Sequence, residues 1–162
     1  MFREMRRKNQ MLSQEESIAV LQKGTSGTLA VLGDNGYPYA VPLSYVYYDN
    51  KIYFHGAKVG HKIDAIQKHN KVSFCVIDQD DVISEEFTTY FKSVIAFGTA
   101  RIIEDDTEKR SAIEKLTARY SSDQPEEKRS ETITKNFPVF NIIELTIEHM
   151  TGKQALELIK KV

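Results

Sequence analysis

GTLAVLGDNGYPYAVPLSYVYYDNKIYFHG, residues 27–56, is the stretch on which the fold turns. β-Branched and aromatic residues dominate it, and the pairs Asn35-Gly36 and Asp49-Asn50 cut it into three runs. Asn-Gly favours the type I′ turn that joins antiparallel strands, so the three runs are expected to form a meander of consecutive hairpins. In the middle run Tyr39, Val41, Leu43, Tyr45 and Tyr47 alternate with Ala40, Pro42, Ser44 and Val46. Successive side chains of a strand point to opposite faces, which gives this one a bulky face and a slim one. Pro42 stands on the slim face with Ser44. It has no N–H for a ladder, which predicts that one side of the strand lacks a regular partner and is open to something other than a strand.

Upstream, SQEESIAVLQK (13–23) places Glu16 three residues after Ser13, a capping box, ahead of Ile18, Val20 and Leu21 in a short amphipathic helix. Residues 1–12 carry Arg3, Arg6, Arg7 and Lys8 and read as a solvated arm lying over the body of the protein or over a partner subunit. Downstream, Ile63 and Ile66 predict a helix of about two turns over 61–69, facing the sheet. KVSFCVID (71–78) reads as a fourth strand, TYFKSVIAFGTARIIE (89–104) as a fifth bent near Gly98, and FPVFNIIELTIEHM (137–150) as the last. Residues 106–120 and 125–135 read as polar amphipathic helices separated by SSDQP, and 151–162 as a tail with a short helix. The expected fold is mainly β with flanking helices: a six-stranded antiparallel barrel, helices outside, in a single domain over 1–162.

A chain of 162 residues buries a core without metals or disulfides. Its formal net charge of −1 predicts no general affinity for nucleic acid or anionic membrane, so any anion site must be local. Cys75, the only cysteine, lies between Phe74 and Val76 and is expected in the core. With no disulfide to form, and no uncharged apolar run long enough for a signal peptide or a membrane span, a cytoplasmic protein is expected. His69 and His149 have no metal-ligand grouping, and neither GxGxxG nor GxSxG occurs.

One local concentration of charge needs explaining. YFHGAKVGHKIDAI (53–66) puts His55, Lys58, His61 and Lys62 around two glycines where a strand hands over to a helix. Positive charge there is normally unfavourable, because a helix N-terminus is already positive and its first amides are unsatisfied.

The order from GTLAVLG through VPLSYVY and FHGAKVGHK to YFKSVIAFGTARII resembles the flavin-binding split-barrel superfamily of pyridoxamine phosphate oxidase, and within it the branch of nitroimidazole-resistance-type flavoproteins. The likeness runs from MRRKNQMLSQEE to IEHMTGK. It implies an FMN-binding split β-barrel working as a homodimer, with flavin at the subunit interface and its phosphate on the loop after the third strand. Free helix-start amides, glycines that admit close approach and added cations are the chemistry a phosphate needs. The resemblance implies Lys62 as the phosphate-binding lysine, with His61 where the oxidase itself has an arginine, and Gly56 and Ala57 beside them. It implies that Val41, Pro42, Leu43, Ser44 and Tyr45 border the isoalloxazine ring mainly through backbone groups. Phe54 and His55 are implied beside the flavin, and Ser93 as part of its lining. His55 is the candidate proton donor, against the plainer reading of a packed, hydrogen-bonded histidine.

Departures matter too. The oxidase has an arginine-rich strand ahead of its flavin loop and a C-terminal arginine motif, where this chain has YAVPLSYVYY and TGKQALELIKKV. These differences argue against the oxidase's own reaction. The expectation is an FMN-dependent oxidoreductase reducing small electron-poor molecules, nitro-aromatic or quinone-like. The alternative is a storage, sensing or sequestering protein that binds flavin or haem. FAD is the alternative flavin, and haem-handling and deazaflavin-binding branches of the fold exist, so fold alone does not choose the ligand.

Overall fold

The computed structural model describes residues 1–159, and seven strands make one antiparallel sheet. A capped helix α1 (Gln14–Lys23) leads into β1 (Ser26–Leu32), β2 (Pro38–Ser44), β3 (Val46–Tyr48) and β4 (Lys51–Ala57). Helix α2 (His61–Lys68), β5 (Lys71–Ile83), β6 (Thr88–Ile102), α3 (Asp106–Tyr120), α4 (Glu126–Asn136), β7 (Phe140–Gln154) and α5 (Leu156–Ile159) follow. Both reciprocal bonds of the capping box form: the Glu16 amide donates to Ser13 Oγ and the Ser13 amide to Glu16 Oε2.

Both hairpin turns have the expected backbone. Asn35 and Gly36 take φ 57° and 78°, Asp49 and Asn50 take φ 48° and 59°, the left-handed pairs that a type I′ turn requires. The six-strand count does not hold. The run 37–48 is two strands, because Tyr45 leaves both ladders. Its side chain is fully buried and its hydroxyl donates to the Leu21 carbonyl at 2.7 Å. Its amide donates to the Tyr120 hydroxyl at 2.9 Å, and that hydroxyl also reaches the carbonyls of Tyr45, at 2.6 Å, and of Thr25. The strand order is β2-β1-β5-β6-β7-β4-β3, so the two halves of one run form opposite edges of the sheet. The sheet curls until its edges share Tyr45, but no ladder closes it.

The bend near Gly98 is a register shift between Phe97 and Gly98 against β7, where a Cβ would collide with the Thr146 carbonyl. β5 runs on past Asp78 to Ile83, and β7 starts at Phe140 and extends to Gln154, into the expected tail. The tail helix is described only for Leu156–Ile159, and its remainder lies outside the described residues. Inside the curl, Phe74 meets Tyr45 and Phe54 edge-on at 4.9 and 5.0 Å, with Val20, Leu21, Ile63 and Ile66 closing the core from α1 and α2. A second cluster lies under α3 and α4, where Tyr53, Phe140 and Ile142 pack on Ile113, Leu116 and Ile133. The N-terminal arm lies on the sheet: Phe2 stacks on His149 at 4.6 Å, and buried Gln10 donates to the Gln154 carbonyl at 3.0 Å. Among the described residues no helix is long and apolar enough to cross a membrane.

Candidate functional site

The start of α2 leaves backbone amides without partners beside a cation. Gly60 caps the helix at φ 136°, with no side-chain cap. Its carbonyl accepts from the amides of Ile63 and Asp64 at 2.9 and 3.1 Å. The amides of His61 and Lys62 are left with no acceptor inside the helix. The space a Cβ would occupy at Gly60 is open, so a ligand can approach the backbone closely. Asn141 Nδ2 donates to the Lys58 carbonyl at 3.2 Å and ties the loop to β7.

Lys62 is half-buried and lies over Gly56, where a Cβ would stand 3.1 Å from its Cε and 3.4 Å from its Nζ. No carboxylate pairs with Lys62 among the described residues. His61 turns the other way. Its ring lies 4.1 Å from that of Tyr39, and its Nε2 is 3.8 Å from Asp34 Oδ2. Asp34 also accepts from Lys68 at 3.2 Å, so the His61 ring pins α2 to the β1–β2 turn, and its amide is what it offers the loop.

This contact sets the α2 start against the Tyr39 end of β2. Tyr39, Val41 and Leu43 are half-buried against the core, while Ala40, Pro42 and Ser44 are exposed. Among the described residues β2 pairs only with β1, so its other side is the open edge that Pro42 predicts. Pro42 lies about 10 Å along the strand from Tyr39 at about 3.3 Å per residue. A cationic, amide-rich helix start thus stands at one end of an open strand edge with a slim, exposed face.

The other expected site residues are scattered around this centre. Tyr45 and Phe54 have fully buried side chains, and the Tyr45 amide and carbonyl are engaged by Tyr120. His55 is exposed and makes no side-chain hydrogen bond among the described residues, so the packed reading of it does not hold. It lies on the face of β4 that carries Tyr53 and Ala57, opposite to Gly56 and Lys62. Ser93, on β6, is separated from β2 by β1 and β5, about 14 Å at the usual strand spacing. Its neighbours are Ile77 across the ladder and Ile95 along the strand, both exposed. Cys75 is not core: it alternates with buried Phe74 and Val76 and is half-exposed on the outer face, where partial burial raises its thiol pKa.

Tyr120, Asn141 and Lys109 escape sequence reasoning because each acts across the fold. Lys109 is buried, donates to the Phe137 carbonyl at 2.7 Å and lies over the Phe137 and Phe140 rings. Burial, and then the charge of Lys58, push its pKa down. Of the tyrosines in the run 37–48, Tyr45 is core, Lys115 lies over the Tyr48 ring, and Tyr37 and Tyr48 remain exposed. Among the described residues no group of His, Cys, Asp or Glu forms a metal site.

The sequence profile of the pyridoxamine 5'-phosphate oxidase family matches residues 13–154. Among solved structures, a candidate 5-nitroimidazole antibiotic resistance protein from Bacteroides thetaiotaomicron is 20% identical, with TM-score 0.77 over 89% of this chain and 86% of that one. The flavocytochrome Anf3 from Azotobacter vinelandii is 18% identical, with TM-score 0.73 over 94% of this chain and 72% of that one. A FAD-binding protein from Mesorhizobium loti is 23% identical, with TM-score 0.62 over 90% and 96%. At such identities these likenesses speak for the fold. No curated protein sequence matches the chain significantly.

Proposed function

The chain belongs to the pyridoxamine 5'-phosphate oxidase family, and from that premise we propose that it is a cytoplasmic flavoprotein that uses FMN to reduce small electron-poor molecules. The observation that carries this is the juxtaposition of the α2 start, which has no side-chain cap, and Lys62 with the open β2 edge. The Lys62 ammonium and the amides of His61 and Lys62 hold the phosphate, in the place where a helix dipole and a cation act together. The edge groups of β2 and the Ser44 hydroxyl would border the ring system, beside the slim, exposed side chains Ala40 and Pro42. When bound, flavin supplies the electron transfer, and the protein supplies position and polarity. His55, exposed and with no side-chain hydrogen bond among the described residues, lies on the opposite face of β4 from Lys62 and is the proton donor of this reading. Flavin- and haem-binding relatives of this fold support the cofactor class.

The same reading includes a homodimer. Ile77 is 66% exposed, and Ile95 and Phe97 are exposed on the same outer face beside Ser93. That face is suited to a second copy, on whose flavin Ser93 would then border. The test is the absorbance of the purified protein after incubation with FMN, FAD or haem, followed by turnover of a nitro-aromatic with NADH or NADPH. Flavin bands and turnover are expected. A Soret band without flavin bands would move the protein to the haem-binding alternative, and failure to bind either flavin would overturn the proposal.

A further inference from the structure

β5 and β6 leave the rest of the sheet together. β1 pairs with β5 only at residues 73–75, and β7 leaves β6 at the Lys92–Gln154 pair. The β5–β6 ladder nonetheless continues from Gln79–Lys92 to Ile83–Thr88 with no third strand paired to it among the described residues, although beside it the Ala155 amide donates to the Phe91 carbonyl at 2.8 Å and Thr88 Oγ1 donates to Glu157 at 3.4 Å. The result is a two-stranded projection closed by Ser84–Glu86 and by Phe87 at φ 52°. Phe87 is 98% exposed and Val82 75%. Apolar side chains left exposed at the tip gain nothing in water. From Gln79 to Phe91 its charge is of one sign. Asp80, Asp81, Glu85 and Glu86 have no cationic partner among the described residues, although Asp81 accepts from Gln79 and Glu86 from Tyr90.

The N-terminal arm has the opposite character. Arg3, Arg6 and Arg7 make no ion pair among the described residues, and beside them Met1 is exposed while Phe2, stacked on His149 and 5.7 Å from the Phe97 ring, keeps 43% of its surface exposed. Among the described residues of one chain no ion pair joins arm and hairpin, although their charges are complementary.

We propose that in the dimer the β5–β6 hairpin of each copy lies against the N-terminal arm of the other, its carboxylates on Arg3, Arg6 and Arg7 and Phe87 against Met1 and Phe2. This contact rests on the homodimer proposed above, and two-fold symmetry makes it twice. Charge attraction sets the register, and covering Phe87 and Val82 orders the hairpin.

Sedimentation equilibrium of the full chain with FMN reads the dimer dissociation constant. The variants Arg3→Glu/Arg6→Glu/Arg7→Glu and Asp80→Lys/Asp81→Lys/Glu85→Lys are each expected to weaken the dimer at least about tenfold at low salt. Combining all six changes restores the opposite charges and is expected to recover most of the loss. The wild-type constant should also rise with salt, a readout that needs no variant. A dimer insensitive to salt and to both charge reversals, or one that the six changes fail to rescue, overturns the hairpin contact and leaves the dimer standing. A wild-type monomer with flavin bound removes contact and dimer together, while leaving the flavin reading intact.

Discussion

Lys62 and Cys75 differ in what their loss should do. Lys62 lies at a glycine-capped helix start with no carboxylate to pair with, so Lys62→Ala removes a charge-assisted contact worth about 1.5–3 kcal/mol to a bound phosphate. FMN affinity should fall by about one to two decades, while Cys75→Ser, out on the sheet's outer face, should leave it unchanged. Fluorescence titration of FMN reads both, and equal dissociation constants in the two folded variants would remove Lys62 from the phosphate site. His55 is a separate question, since it faces away from Lys62 across β4. If it donates a proton during turnover, His55→Asn should keep FMN affinity and slow reoxidation by a nitro-aromatic or quinone about a hundredfold. Stopped-flow rates decide it, because an exposed side chain with no hydrogen bond gives little reason for the melting temperature to move. A rate per bound flavin equal to the wild type would end the catalytic role.

At the scale of elements, the junction between β2 and β3 depends on a residue 75 positions away. Tyr120→Phe strips the hydroxyl from the Tyr45 amide and carbonyl and the Thr25 carbonyl, a cost of about 1–3 kcal/mol for backbone groups left without partners. Urea denaturation should show that loss, and amide exchange should show it concentrated at β3; unchanged stability would mean that water serves the junction equally well. The same junction marks where the sequence stops being legible. Ser13 with Glu16, Asn35 with Gly36, and Pro42 each announce local geometry, and the structure has all three. So does the glycine-flanked start of α2. Tyr45 instead continues a faultless alternation from Tyr39 to Tyr47, and nothing local marks the break, because a helix far along the chain makes it. The β5–β6 projection is hidden for a similar reason: DQDDVISEEF lacks glycine and proline, and Phe87 takes the left-handed turn position that sequence reasoning gives to Gly or Asn. In the candidate site, residues near one another in sequence, from Gly56 to Lys62, are brought together, whereas Ser93 is placed by strand order that no local pattern encodes.

Across the whole molecule, Glu144 on β7 adds a network of charge to elements joined by ladders and core packing. It accepts from Lys51 of β4 at 3.1 Å and Arg101 of β6 at 2.9 Å, and Arg101 also pairs with Glu108 of α3. Burial alone would raise its pKa, but the hydrogen bonds from Arg101 and Lys51 outweigh it and hold the carboxyl below its usual range. The neighbouring Tyr53 phenol is pushed up to about 12 by burial and by Glu144. A depressed folded-state value means stability that is complete above the unfolded carboxyl's pKa of about 4.3 and lost as pH falls through the folded one. Glu144→Gln should therefore cost about 2 kcal/mol at pH 7, with the two stability curves converging in acid. Urea titrations between neutral and strongly acidic pH measure this, and parallel curves would refute it.

The shared run of β2 and β3 also makes alignment errors hard to commit. Sliding β2 by one residue along β1 would turn Tyr39, Val41 and Leu43 out of the core and draw Tyr45 from its pocket, forcing β3 out of step with β4 at the far edge. A slip on one side must be repeated on the other. Tyr45 acts as a pawl between the two edges, and a ligand lying on β2 meets a strand that can bend but cannot creep.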